Sequence, residues 1–217
     1  MDNKQNFITL VHHFIFSPKD FLSIKYSSDK NYRHSWFVFL AVLFLFLGFY
    51  LAIFPTLSTL INNSFQDNGI DYTTDMNTLI MIITLVLGII QFTSMVLVSF
   101  FIIHIIGILI GGTATAKEFF PSFIYSIIPI GIKFTILIIF SFFLGSDFAF
   151  SVIYPNSQQP LDIILNIIID PFFWWSTILG CIALKVIHQI SYKKTIIIIS
   201  ITMSLGIISL FSTSLFL

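Results

Sequence analysis

Charge is scarce in this sequence. Asp, Glu, Lys and Arg make up 9% of its 217 residues, while 57% are hydrophobic and 17% aromatic. A soluble domain carries about a quarter charged residues, so a water-facing surface cannot be built from this composition and the solvent must be lipid. Lys plus Arg equal Asp plus Glu at 10 each, which leaves no basic stripe to neutralise phosphates and excludes a nucleic-acid partner. Cysteine is nearly absent as well. Cys181 alone can form neither an internal disulfide nor a cysteine-based zinc cluster, and its apolar neighbours make it an inert small hydrophobe. Catalytic signatures are missing: there is no His-Glu-x-x-His, no Gly-x-Ser-x-Gly and no phosphate-cradling glycine loop. We therefore expect no catalytic residues, no metal, no cofactor and no enzyme activity. Residues Met1–Ser35 are polar and lack the apolar core and cleavage site of a signal peptide, so this leader is expected to stay on the mature protein. The Ile, Phe, Asn and Lys bias points to an AT-rich bacterial genome.

What is present in quantity is long apolar sequence. A helix needs about 20 such residues to cross a bilayer, and five segments qualify: Trp36–Phe54, Leu79–Ile110, Ser122–Leu144, a fourth around Ile163–Ile190, and Thr195–Leu217. In lipid each must be helical, because unpaired backbone groups are too costly there. The second segment is too long for a perpendicular crossing and must tilt, bend or project. The basic residues fix the orientation. Lys4, Lys19, Lys25, Lys30 and Arg33 precede the first span, Lys117 lies between the second and third, and Lys185, Lys193 and Lys194 end the fourth. The connections Ile61–Thr78 and Gly145–Asp162 hold Asp67, Asp71, Asp75, Asp147 and Asp162 with no Lys or Arg. Basic loops face the cytoplasm. The expected fold is an all-α polytopic membrane protein of five spans, N-terminus cytoplasmic and C-terminus outside, in the bacterial cytoplasmic membrane. Residues 1–35 form a leader and 36–217 a single transmembrane domain.

The leader has helical periodicity of its own. Phe7, Leu10, Val11, Phe14 and Ile15 share one face, opposite Asn6, Thr9, His12 and His13. Ser17-Pro18-Lys19-Asp20 reads as a helix start. Two short helices lying on the cytoplasmic membrane surface are expected, with a partner-docking site as the sharper alternative. His12 and His13 point about 100° apart on a helix, so they make a solvated polar face rather than a metal site.

The third span carries a resemblance. A glycine pair closes the second span, a short loop holds a lysine, and Tyr125-Ser126-Ile127-Ile128-Pro129 follows. This pattern resembles the Yip family of Ypt/Rab-interacting membrane proteins, in its bacterial branch. The tryptophan-bearing "WWSTILGCIALKVIHQISYKK" and Pro18 ahead of the first span are similar to it too. The resemblance implies five helices and a cytoplasmic N-terminus. Eukaryotic members bind prenylated Rab GTPases and carry an acidic Asp-Leu-x-Gly-Pro motif; "FSPKDFLSIKYSSDKNYRHSW" does not match it, so the resemblance does not extend to Rab binding. Some bacterial relatives are associated with ABC-type efflux systems that handle peptides. An accessory or scaffold subunit of such a system, giving resistance to membrane-active peptides, is the function the resemblance implies. A small transporter or lipid-handling protein with a polar path near Lys133 is the alternative. The expected partners are the bilayer and another membrane protein.

The residues offer their own candidates. Gly107 and Gly111 form a Gly-x-x-x-Gly pair with Gly112 beside it, which points to close helix packing inside the monomer and leaves a homo-oligomer open. Pro129 should kink the third span, freeing a carbonyl near Tyr125. Lys133 lies about 18 Å beyond Pro121, near mid-bilayer, where an uncompensated charge costs roughly 3 kcal/mol. It either reaches the cytoplasmic headgroups or meets a carboxylate at its own depth. Asp170 is that carboxylate if the fourth helix runs Ile163–Leu184 with Asp170-Pro171 as an internal break, and the two would then pair beside a hydrated cavity. If the helix runs Pro171–Ile190 instead, Trp174 and Trp175 form the outer aromatic belt, and Asp162, Asn166 and Asp170 make an interfacial stripe. The tryptophans favour the second version. His104, Gln91, Ser200, Thr202 and Ser204 could line a polar site, though each is better read as an ordinary interhelical hydrogen bond.

Overall fold

The computed structural model describes residues 7–23, 29–70, 73–153, 165 and 168–214, with side chains at 12–21, 32–70, 73–153, 165 and 168–204. The elements run α1 (Phe7–Phe16), α2 (Pro18–Ser23), α3 (Asp29–Asp67), α4 (Thr74–Leu109), α5 (Ala116–Tyr125), α6 (Ile128–Leu144), α7 (Ser146–Ile153), α8 (Pro171–His188) and α9 (Tyr192–Ser214). No strand occurs among the described residues. Four stretches are long and apolar enough to cross a membrane: Tyr32–Asp67, Thr74–Leu109, Ala116–Leu144 and Pro171–His188. The expected fifth crossing falls on α9, a helix of 23 residues. The chain is thus an all-helical, multi-pass membrane protein. The expected stripe through Asp162 and Asn166 lies outside the described residues.

The first two spans are longer than their apolar runs. At 1.5 Å per residue, α3 measures about 58 Å and α4 about 54 Å, against a hydrocarbon core of about 30 Å. Helix α3 continues through Pro55 into the polar stretch ending at Asp67, where Ser58 and Thr59 donate their hydroxyls to the Pro55 carbonyl. Thr73 caps α4 by accepting the Met76 N–H. Beyond Ile53 in α3 and before Gly88 in α4 no residue is buried. The two helices form an arm that leaves the packed body.

The third span is two helices, not one kinked helix. Continuing α5 would press the Pro129 ring against the Tyr125 carbonyl and leave that carbonyl without its donor. The helix ends instead at Ser126, whose hydroxyl donates to the Phe123 carbonyl at 2.6 Å. Pro129 then sits in the first turn of α6, where a missing N–H costs nothing. Thr115 and Glu118 open α5 with reciprocal capping bonds, 2.8 Å from Thr115 N–H to the carboxylate and 3.4 Å from Glu118 N–H to the hydroxyl.

The body is held by aromatic packing and by small residues at one seam. Phe46 touches Phe92 and Phe134 at ring-centroid distances of 5.0 and 5.3 Å, joining α3, α4 and α6. The close approach of helices lies between α3 and α6. A Cβ on Gly131 would stand 3.0 Å from Val42, and one on Gly48 3.3 Å from Ile138. The Gly107–Gly111 pair does not serve this purpose; its neighbour is a side chain, described below. At one end of the bundle Thr56 donates to Asp147 Oδ1 at 2.6 Å. At the other, the Lys194 ammonium binds the Ile110 carbonyl at 2.6 Å, and Lys185 stacks over Tyr192. The basic residues named here gather at a single end, as one membrane face requires.

The leader packs on this body. Phe14 and Phe21 are fully buried, with ring centroids 5.4 and 5.7 Å from Tyr125. Phe14 of the leader's apolar face and Phe21 of α2 are thus covered by protein at the α5–α6 break. His12 remains exposed, while His13 meets the Phe21 ring edge. Replacing Phe21 with Ala removes one wall of the Tyr125 site. We expect α1 and α2 to detach, with leader proteolysis in detergent several-fold faster and the thermal midpoint of the body little changed. Equal cleavage rates would place the leader's hold elsewhere.

Candidate functional site

Two polar points lie inside the bundle. The first joins α6 to α8. Asp170 is the N-cap of α8: Oδ1 accepts the Phe172 and Phe173 N–H groups at 2.9 and 3.3 Å. Its other oxygen, Oδ2, takes the Lys133 ammonium at 2.5 Å. Both side chains are largely shielded, 21% exposed for Lys133 and 15% for Asp170. The helix bounds are those of the second sequence version, while the ion pair is the one tied to the first. The two are compatible because a capping carboxylate has two oxygens, and the cap uses only one. Counting along α8, Asp170 lies about 22 Å from Lys185, at the far end of the helix and beside the shielded Lys133. A helix start in that shielded place needs a built-in acceptor for its orphan N–H groups, and Asp170 supplies it.

Cavities of about 250 and 300 Å³ share this pair as a wall. The smaller is lined by aromatic rings, including Phe46, Phe92, Phe134 and Phe173, together with Gln91. The larger is lined by Leu137, Phe140, Phe148 and Ile169. Trp174 donates its indole N–H to the Ile168 carbonyl at 2.7 Å, just outside the pair.

The second point joins α4 to α8. His104 Nδ1 and His188 Nε2 are 3.2 Å apart, with both rings buried. His188 Nδ1 has no hydrogen-bond partner. An unpaired lone pair is cheaper than an unpaired N–H, so we assign the bonding proton to His188 Nε2, donating to His104 Nδ1. The His188 ring fits against Gly107 and Gly112: a Cβ on Gly112 would come within 2.4 Å of Nδ1, and one on Gly107 within 3.3 Å of the ring. Phe119 closes the site, edge-on to His188 at 4.9 Å and stacked on His104 at 5.9 Å. Gln189 follows in the left-handed conformation, and the His188 carbonyl accepts the Thr113 N–H at 3.2 Å. The glycines at the end of α4 make room for an imidazole. Gly111, at φ 98°, turns the chain away before Lys194.

Of the sequence candidates, Lys133 and Asp170 come together, His104 finds a partner on another helix, and Gln91 lines a cavity. Tyr125 and Pro129 belong to the helix break and the leader seat. Thr202 and Ser204 bond carbonyls of their own helix. Sequence reading missed His188. It stands three residues past Lys185 in a basic turn and looks interfacial, although its depth on the fourth span matches that of His104 on the second. The capping pair Thr115-x-x-Glu118 was also legible and overlooked. No group of three or more metal-ligating side chains occurs among the described residues.

Replacing His104 with Leu leaves the His188 N–H facing hydrocarbon. The expected cost is about 1 kcal/mol, read as a lower thermal midpoint in detergent, with His188→Leu in the same background adding little.

Comparison with known proteins gives one match. A family model described as the Yip1 domain matches residues 13–213. No curated protein and no solved structure matches the chain.

Proposed function

The chain belongs to the Yip family, and from that premise we propose that it is a non-enzymatic accessory or scaffold subunit that docks to another membrane complex. The orientation in this reading is N-terminus inside and C-terminus outside across five spans of a bacterial cytoplasmic membrane. The partner is an ABC-type efflux system that handles membrane-active peptides. The α3–α4 arm carries the reading. Its α4 half presents Leu79, Ile83, Val86 and Ile90 on one face at helical spacing, and all are exposed. With Leu109 at the basic end of the bundle, about 20 residues fill the hydrocarbon, so Leu79–Val86 extend past it. Apolar side chains held outside lipid and unburied by their own chain mark a protein contact. Its occupant in this reading is an apolar helix surface of the partner subunit.

Purification of the tagged protein in mild detergent tests this. A stoichiometric ATPase or permease should accompany the wild type and be lost when Leu79, Ile83 and Val86 are changed to Asn. A protein that purifies alone, or only with copies of itself, would overturn the docking role.

A further inference from the structure

We propose that the Lys133–Asp170 pair is the head of a binding cleft for a lipid-tailed oxyanion, a phosphate or carboxylate carried on an acyl chain. This goes beyond the docking role, which requires nothing of the cleft. The unused capacity of the site is donor capacity. Both Asp170 oxygens are engaged, Oδ1 by two backbone N–H groups and Oδ2 by Lys133. An ammonium has three N–H donors, and among the described residues Asp170 is the one acceptor Lys133 meets. The walls beside the ammonium are largely apolar, with Gln91 and Tyr50 the uncharged polar side chains among them, and unpaired polar groups are costly in such surroundings. An oxygen acceptor arriving there replaces no existing bond.

Charge and shape narrow the ligand. The pair cancels in charge, and the first-turn N–H groups of α8 are already bonded to Asp170, so what the head offers an approaching anion is the spare donor capacity of the Lys133 ammonium. The cavities on the pair are walled by Phe46, Phe92 and Phe134 on one side and by Leu137, Phe140 and Ile169 on the other. They measure about 250 and 300 Å³, near the low end of the roughly 300–1,000 Å³ typical of small-molecule sites, which suits a single acyl chain. A bare phosphate would use the ammonium and leave these walls uncovered. A tailed one uses both. The bilayer supplies such molecules directly, without passage through water.

The test uses the full-length protein in maltoside detergent, with 1-palmitoyl-lysophosphatidylglycerol as probe and binding read by native mass spectrometry. The wild type is expected to retain the probe, and inorganic phosphate at equal concentration not to displace it. Lys133→Met with Asp170→Asn removes both charges and keeps a capping side chain; it should weaken retention about ten-fold or more. Asp170→Asn alone keeps the ammonium and the cap, and should bind at least as well as wild type. The phosphate competition, read on the wild type, holds the idea to account if either variant does not fold. Undiminished retention by the double variant, loss in Asp170→Asn, or displacement by free phosphate would each overturn the proposal.

Discussion

Gly112→Ala is expected to be the most damaging of the glycine-to-alanine changes among the described residues. The new Cβ would lie 2.4 Å from His188 Nδ1, 2.7 Å from the Gly107 carbonyl and 3.0 Å from His188 Cβ. Two of these atoms are backbone or next to it, and turning the imidazole moves neither away. The end of α4 must shift from α8, breaking the His104–His188 contact and the Thr113–His188 backbone bond with it. Overpacking of this severity costs about 3 kcal/mol, or roughly 5–10 °C in thermal midpoint. Gly107→Ala provides the graded comparison, because its nearest atom is on the movable His188 ring at 3.3 Å; its loss should be less than half as large. Thermal stability of both variants, followed by size exclusion in detergent, decides the matter. Equal losses would mean that the cradle is not what Gly112 provides.

Breaking the Lys133–Asp170 pair has the second large effect. Lys133→Met leaves a carboxylate without its counter-charge deep in the bundle, and Asp170→Asn does the same to the ammonium. Each is expected to cost about 2–4 kcal/mol. The Met/Asn double variant should recover to within about 1 kcal/mol of wild type, since Asn still caps α8. A reciprocal swap is the poorer experiment. Lysine at 170 cannot accept the Phe172 and Phe173 N–H groups, so the swapped pair would lose the helix start while regaining its attraction. Asp170→Ala, which removes cap and charge together, should cost about 1 kcal/mol more than Asp170→Asn. Matching midpoints for the single and double variants would show that the two charges are stabilised separately.

These outcomes depend on features of unequal legibility. The helical class and the existence of the spans followed from composition, because a chain this poor in charge can bury its backbone polar groups only in helices within lipid. Lys133 was identifiable as a misplaced charge, but counting residues brought Asp170 to its depth only if the fourth helix ran Ile163–Leu184, and the tryptophans favoured the other version. What counting could not say was that Asp170 does two things at once, since a cap bond and an ion pair compete in sequence logic but occupy different oxygens in space. His188 was hidden by its basic surroundings. The glycines suggested close helix packing inside the monomer without naming a partner, and in the structure Gly107 and Gly112 receive the imidazole of His188 on α8.

Sequence by itself determined the solvent, the helical class and the family, because these depend on residue type and on short patterns along the chain. Tertiary structure decided which helices touch, where the third span breaks, that the leader seats its phenylalanines on Tyr125, and what the glycines make room for. Those outcomes are set by packing between elements far apart in the chain, where volume and direction select the partner and no local pattern records the choice.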